Sequence, residues 1–145
     1  MRLEQVNSLS DYDLDGLVED SLSQGYRFVQ RLVDEYNSGI NRFDKPGEAL
    51  FVFVHEGQVI GVGGLNIDPY LDRPEVGRVR HLYVNSGYRN LGIGKRLLQR
   101  IMEQARLHFA LLTLYTDNPI ADRIYRANGF VHADGIHKAS HMLIL

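Results

Sequence analysis

The chain has 145 residues, the size of one ordinary domain with a core of its own. Its 44% apolar and 23% charged residues suit a globular protein, and a formal net charge of −2 gives nucleic acid or an anionic membrane no bulk attraction. It contains no cysteine, which excludes disulfides, thiolate metal sites and cysteine nucleophiles.

The opening MRLEQVNSLSDYDLDGL lacks the apolar stretch of a signal peptide, and no apolar run approaches the roughly 20 residues that span a bilayer. By elimination, a cytoplasmic protein without membrane contact is expected. Leu3 and Val6 mark a short first strand. From Asp11 to Gly39 the spacing is helical but broken at Gly16 and Gly25, which predicts two short helices. Leu14, Leu17, Val18 and Leu22 form the first apolar stripe; Phe28, Val29, Leu32, Val33 and Tyr36 form the second. Asp11, Asp13, Asp15, Glu19 and Asp20 read as helix-start charges and a solvated face.

After a polar loop through Pro46 and Gly47, a dense apolar strand, Ala49 to Val54, turns at residues 55–58 and returns as Val59 to Ile67. Gly61, Gly63 and Gly64 in the return strand signal a bulge or the close approach of another group. A loop with Pro69, Tyr70 and Pro74 leads to a third strand, Gly77 to Val84. Leu97, Leu98, Ile101, Met102 and Ala105 then repeat at helical spacing. Phe109 to Tyr115 reads as a buried strand, Asn118 to Asn128 as a short helix, and Phe130 to Ala133 and Ser140 to Leu145 as closing strands. Strands first and strand–helix–strand crossovers later predict one α/β domain over residues 1–145. Its central sheet should be mixed, with six or seven strands and helices on both faces. The apolar end HMLIL is open to pairing across a homodimer or to a place within the sheet.

The segment Val79 to Leu98, VRHLYVNSGYRNLGIGKRLL, carries the clearest chemistry. A strand ends at Val84 and Gly92-Ile93-Gly94 opens an amphipathic helix. Free N–H groups and the positive end of a helix dipole attract anions such as phosphate, and glycines let the backbone come close. Arg89 and Lys95 add charge. A Walker A loop fails here, with Arg89 in the place of its first glycine and Arg96 in that of its hydroxyl. A dinucleotide fingerprint fails at Leu97, where its third glycine belongs. A turn that only joins strand to helix is the plain alternative.

In the later segment, Asn118 suits an N-cap, Pro119 the first helical position and Gly129 the left-handed end. Ile120, Ile124 and Ala127 read as the core stripe, which turns Tyr125 away from Ile120 with small Ala121 beside it. On spacing alone Tyr125 is a boundary residue. His132, His137 and His141, spaced by five and four, share no helical face and no acidic pattern, so no metal site is expected.

The motif R-x-x-G-x-G between strand and helix resembles the signature loop of the GNAT superfamily of N-acetyltransferases. The strand Val79–Val84 and the segment N-x-x-A-x-x-x-Y-x-x-x-G-F from Asn118 to Phe130 resemble the flanking family motifs in order and spacing. The resemblance implies that the strands near Val84 and Leu111 part to admit the pantetheine arm. It implies that Arg89, Asn90, Leu91, Gly92, Ile93, Gly94 and Lys95 cradle the pyrophosphate of acetyl-CoA. Leu82, Tyr83 and Val84 would pair with the pantetheine, with the Leu82 N–H facing the thioester oxygen and Asn118 bonding the arm. Tyr125 would protonate the departing thiolate.

Without a cysteine or a serine elbow, the amine acceptor would attack the thioester directly. Arg78 stands where many relatives place a glutamate, leaving Glu75 and His81 as candidate bases, each with an ordinary structural alternative. The proline frequent after this strand is missing, with Ser86 near its place. Tyr26, Asn66 and Tyr70 are candidates to shape the acceptor pocket. The expected activity is acetyl transfer to a primary amine of a small molecule. Acetylation of protein N-termini or lysines, and a non-catalytic acyl-CoA-binding module, remain alternatives.

Overall fold

In the computed structural model, which describes residues 1–145, the run Ala49 to Phe53 is buried along its whole length. Its residues do not alternate in character because both faces of the strand are covered. Phe51 and Phe53 enter one apolar cluster, Leu50 and Val52 another. This strand, β2 (Ala49–His55), lies between β1 (Arg2–Gln5) and β3 (Gln58–Ile67). The seven-stranded sheet continues through β4 (Val76–Val84) and β5 (Leu111–Leu114) to β7 (His141–Ile144) and β6 (Val131–His132). Only β4 and β5 run parallel, so the sheet is mixed.

Helices α1 (Asp15–Ser23) and α2 (Phe28–Ser38) cover one face, where Leu17, Val29 and Leu32 pack with Leu50, Val52, Val62 and Tyr83. Helices α3 (Ile93–His108) and α4 (Pro119–Ala127) cover the other, where Leu97, Leu98, Ile101 and Tyr125 pack with Phe51, Phe53 and Leu65. The glycines of β3 set how close α3 comes. A Cβ at Gly61 would stand 3.0 Å from Ile93 Cγ2, and one at Gly63 2.9 Å from Ile101 Cδ1. The close approach signalled by Gly61 and Gly63 is therefore α3 itself, whereas at Gly64 it is the Phe43 ring on the opposite face.

Pairing between β4 and β5 is confined to Val76↔Leu111, Gly77↔Leu112 and Arg78↔Thr113. Because β5 stops at Leu114 while β4 runs on to Val84, the edge of β4 from Val79 onward has no partner strand on that side. On the other side the register slips, so His81 and Leu82 together oppose Gly63. His81 absorbs the extra residue at φ 58, a left-handed conformation that costs a non-glycine residue about 1–3 kcal/mol. Leu82 is thereby aimed toward α3, while His81 and Tyr83 face α2.

Three expectations change. Ile120, Ile124 and Ala127 are not a core stripe; Ile120 is 67% exposed and Ile124 45%, while Tyr125 is 8% exposed and buried. The inward face of α4 is chosen by tertiary partners: Asp122 bonds His141, and Tyr125 packs on Phe130. Leu22 is exposed, and Ser21 takes the buried place in α1. Finally, β7 pairs along its whole length with β5 and over His141 and Met142 with the two-residue β6, so the apolar end has its place within the sheet while the outer edge at Leu143 and Ile144 has no partner strand.

Candidate active site

The loop after β4 is built almost wholly from backbone. The Asn85 side chain accepts from the Gly87 N–H at 2.9 Å, closing a short turn over Ser86–Tyr88. Asn90 at φ 65 and Gly92 at φ 79 then wind the chain into α3, with Gly92 as its N-cap. The first intrahelical bond runs from Arg96 N–H to the Gly92 carbonyl at 3.0 Å, so the N–H groups of Ile93, Gly94 and Lys95 have no partner within the helix. No acidic residue stands in the first turn to compete for them.

The two glycines differ in kind. Gly92 is required by its positive φ. Gly94 is not required by the fold, because a Cβ there would make an ordinary 3.5 Å contact with Val84. What the missing side chain leaves is open access to the free N–H groups.

Arg89 does not hang free. Its guanidinium lies over the Tyr83 ring, 5.6 Å from the centroid, and Nη2 donates to Tyr83 Oη at 3.4 Å. Tyr83 Oη in turn donates to Asp20 Oδ2 at 2.6 Å. Asp20 also accepts from the Ser86 N–H at 2.9 Å and the Ser86 hydroxyl at 2.5 Å. Burial opposes ionisation of Asp20, but the bonds from Ser86 and Tyr83 and the Arg89 charge outweigh it and hold the carboxyl below its usual range. Burial and the Asp20 carboxylate push the Tyr83 phenol up, so it stays protonated. Asp20 is thus no mere solvated charge: it ties α1 to the glycine loop and, through Ser86, pins the place where a proline is frequent in the family. No local pattern marks it, because its partners lie more than 60 residues away.

Across the gap, Asn118 caps α4 by accepting from Ile120 N–H at 2.8 Å and Ala121 N–H at 3.3 Å. Its Nδ2 stands 3.5 Å from the hydroxyl of Tyr26, which lies between α1 and α2 and stacks edgewise on Tyr83. Tyr26 and Asn118 thereby span the opening between β4 and β5. Tyr125 packs against Phe130 and His141, with centroids 5.5 and 6.0 Å away. Burial pushes its phenol up to about 12, so it carries its proton across the physiological range. The helix that bears it is clamped by His141, whose ring nitrogens lie 2.6 Å from Asp122 Oδ1 and 2.7 Å from Ser140 Oγ.

The remaining candidates sit apart from this gap or are engaged elsewhere. Glu75 precedes the paired end of β4, pairs with Arg73 at 2.7 Å, and lies seven residues, ~20 Å along an extended strand, from Leu82. The His81 ring lies between Phe28 and Phe43, and its Nε2 is buried without a hydrogen bond. Burial, then the charges of Arg80 and Arg31, push the imidazole down to about 3 and keep it neutral. Asn66 is buried and cross-linked to Asn41 in both directions and to Glu48. The Tyr70 ring lies against the cations of Arg78 and Lys138, each 4.7 Å from its centroid. Arg78 is buried, pairing with Asp68 at 3.4 Å and donating to the Lys138 carbonyl at 2.7 Å. No three histidine, aspartate or glutamate side chains gather as a metal site.

Residues 15–130 match the Acetyltransferase (GNAT) family. The chain belongs to that family. A solved structure from Exiguobacterium sp. 255-15, assigned as an acetyltransferase, superposes with a TM-score of 0.88 at 33% identity over 99% of this chain and 92% of its own. The uncharacterized N-acetyltransferase YjgM of Escherichia coli is 31% identical over 82% of this chain and 69% of its own length. N-acetylaspartate synthetase of Xenopus tropicalis is 32% identical over 61% of this chain, which spans about a third (32%) of that protein. A streptothricin acetyltransferase, so assigned, of Bacillus anthracis shares the fold at a TM-score of 0.58 and 22% identity, over 70% of this chain and 65% of its own; its structure holds acetyl coenzyme A.

Proposed function

We propose that this GNAT chain moves an acetyl group from acetyl-CoA to a primary amine of a small molecule by direct attack. One observation carries the reading. The start of α3 presents free N–H groups, no carboxylate and a glycine at 94 that packing does not demand, beside the open edge of β4. Such a terminus suits a diphosphate, and Lys95 with Arg89 would add cations once Arg89 leaves Tyr83. The free edge of β4 from Val79 to Val84 suits the amide-bearing arm, which would add to it as a short strand.

In this reading the Leu82 N–H faces the thioester oxygen, and such a donor contributes about 3 kcal/mol to the transition state. The amine forms the new C–N bond, the C–S bond breaks, and the thiolate takes a proton from Tyr125. Neither Glu75 nor His81 is set to accept the amine proton, so it passes to water. The bridge of Tyr26 and Asn118 over the gap favours a small acceptor. An amine screen with thiol detection tests the reading: acceptor-dependent thiol release supports it. Tight CoA binding without any such release would instead favour a non-catalytic binding module.

A further inference from the structure

The face of β4 turned toward α1 and α2 gathers cations, some of them without an ion-pair partner. Arg78, Arg80 and Tyr83 share that face: Arg80 stands opposite Gly64, where a Cβ would meet Phe43 on the same side. Two carboxylates nearby are engaged by other donors. Asp68 takes Arg78, the Thr113 hydroxyl at 2.6 Å and the Tyr70 N–H at 2.9 Å. Glu48 takes Asn66 and the Ile67 N–H. Arg31, Arg80 and Lys138 form no ion pair with any carboxylate of the chain. Arg80 adjoins His81, and Phe28, one turn before Arg31 on α2, packs its ring on His81 at 6.4 Å, so both cations stand by the bulge next to Leu82. Lys138 is held near by the Arg78 bond to its carbonyl and by Tyr70.

We propose that the acetylated amine carries a carboxylate, held by Arg80 with Arg31 and Lys138 in the gap between β4 and β5. The inference rests on the acetyl-transfer reading and names its substrate class. Unpaired cations on the wall of a cleft focus a field that concentrates an anion, and the guanidinium fork matches a carboxylate's two oxygens. The same charges disfavour an ammonium, which helps the amine give its proton to water where no base is placed. Arg78, standing in place of the family's frequent glutamate, fits this scheme: its guanidinium occupies Asp68, which would otherwise repel a carboxylate. Diamines and polyamines are disfavoured for the same reason.

The test compares matched acceptors by acetyl-CoA-dependent thiol release: α- and β-amino acids, their amides, and diamines of equal length. The amino acids should exceed their amides at least ~10-fold in kcat/KM, as a charge-assisted bidentate pair implies. Arg80→Gln should reduce that ratio about 10-fold, and Arg80→Lys should restore part of it. Lys138→Gln, on an exposed loop, supplies a second variant should Arg80→Gln fail to fold. Amides or diamines that react as well as the amino acids, or a ratio unmoved by the substitutions, would overturn the inference while leaving acetyl transfer standing. A preference for aminoalkylphosphonates over carboxylates of equal length would overturn the carboxylate assignment. A panel that releases no thiol at all would overturn the acetyl-transfer reading and this inference with it.

Discussion

The two sides of the gap beside β4 are made of different material. The α3 side is backbone: a left-handed N-cap at Gly92, a bare Gly94 and free N–H groups. The side proposed to hold the acceptor is side chain, gathered from α2, the loop after β3, β4 and the loop before β7. A backbone site must be written in consecutive residues, so it leaves a spacing that can be read. A side-chain site is assembled by the sheet from distant segments and leaves none. In the proposed reading the first would serve a shared cofactor chemistry and the second the individual acceptor.

The sharpest way to break this contrast is at Gly94. Gly94→Leu blocks access to the free N–H groups without disturbing the core. Losing two charge-assisted hydrogen bonds should weaken CoA by ~100-fold or more in calorimetry. The melting temperature should move by no more than a few degrees, because Gly94 has only an ordinary contact to lose. An equally large loss of stability would mean that the glycine serves packing instead.

Tyr125→Phe probes the opposite wall, where one hydroxyl is at issue. Its kcat should fall ~10-fold or more with acetyl-CoA affinity held. Since the Tyr125 phenol is pushed up to about 12, wild-type kcat should show no loss of an acid up to pH 9. An unchanged kcat in the variant removes Tyr125 from the mechanism.

His81 sharpens the distinction between a buried structural imidazole and a base. Its folded value of about 3 lies below the ordinary 6.5, so the unfolded chain binds the proton first as pH falls. The stability that neutral His81 contributes is fully present above 6.5 and is lost as pH drops from 6.5 toward 3, by up to about 1.4 kcal/mol per pH unit. In denaturant melts, wild type should lose stability relative to His81→Leu as the pH falls from 7 to 4. Parallel curves, or a limb in kcat/KM near pH 6.5 that vanishes in the variant, would restore His81 as a titrating base.

The smallest effect is expected where the two sides meet. Asp20→Asn removes the charge that draws Tyr83 and Ser86 together. The KM for acetyl-CoA should rise about 5-fold, the equivalent of one lost hydrogen bond. An unchanged KM would show that the loop keeps its shape without α1.

Much of the fold was legible because period and punctuation agreed. Gly25 separated α1 from α2, although Gly16 lies within α1 instead of breaking it; the hairpin fell between Val54 and Val59, and Asn118, Pro119 and Gly129 bounded α4. The family resemblance extended this to the parting of β4 and β5. Periodicity failed on α4, a short helix that offers two apolar stripes. The choice between Ile120 with Ile124 and Ala121 with Tyr125 belongs to His141 and Phe130, which are distant in sequence or beyond the helix. Asn66 read as a pocket residue because an amide's partners are invisible locally; Asn41 and Glu48 use it fully. Asp20 read as solvated for the same reason.

The start of α3 can be interrogated by amide NMR during titration with CoA. Gripping a diphosphate with backbone N–H groups predicts the largest shifts at Ile93, Gly94 and Lys95, together with a change at Arg89 as it leaves Tyr83. CoA that binds while those amides stay still would contradict the account at its root.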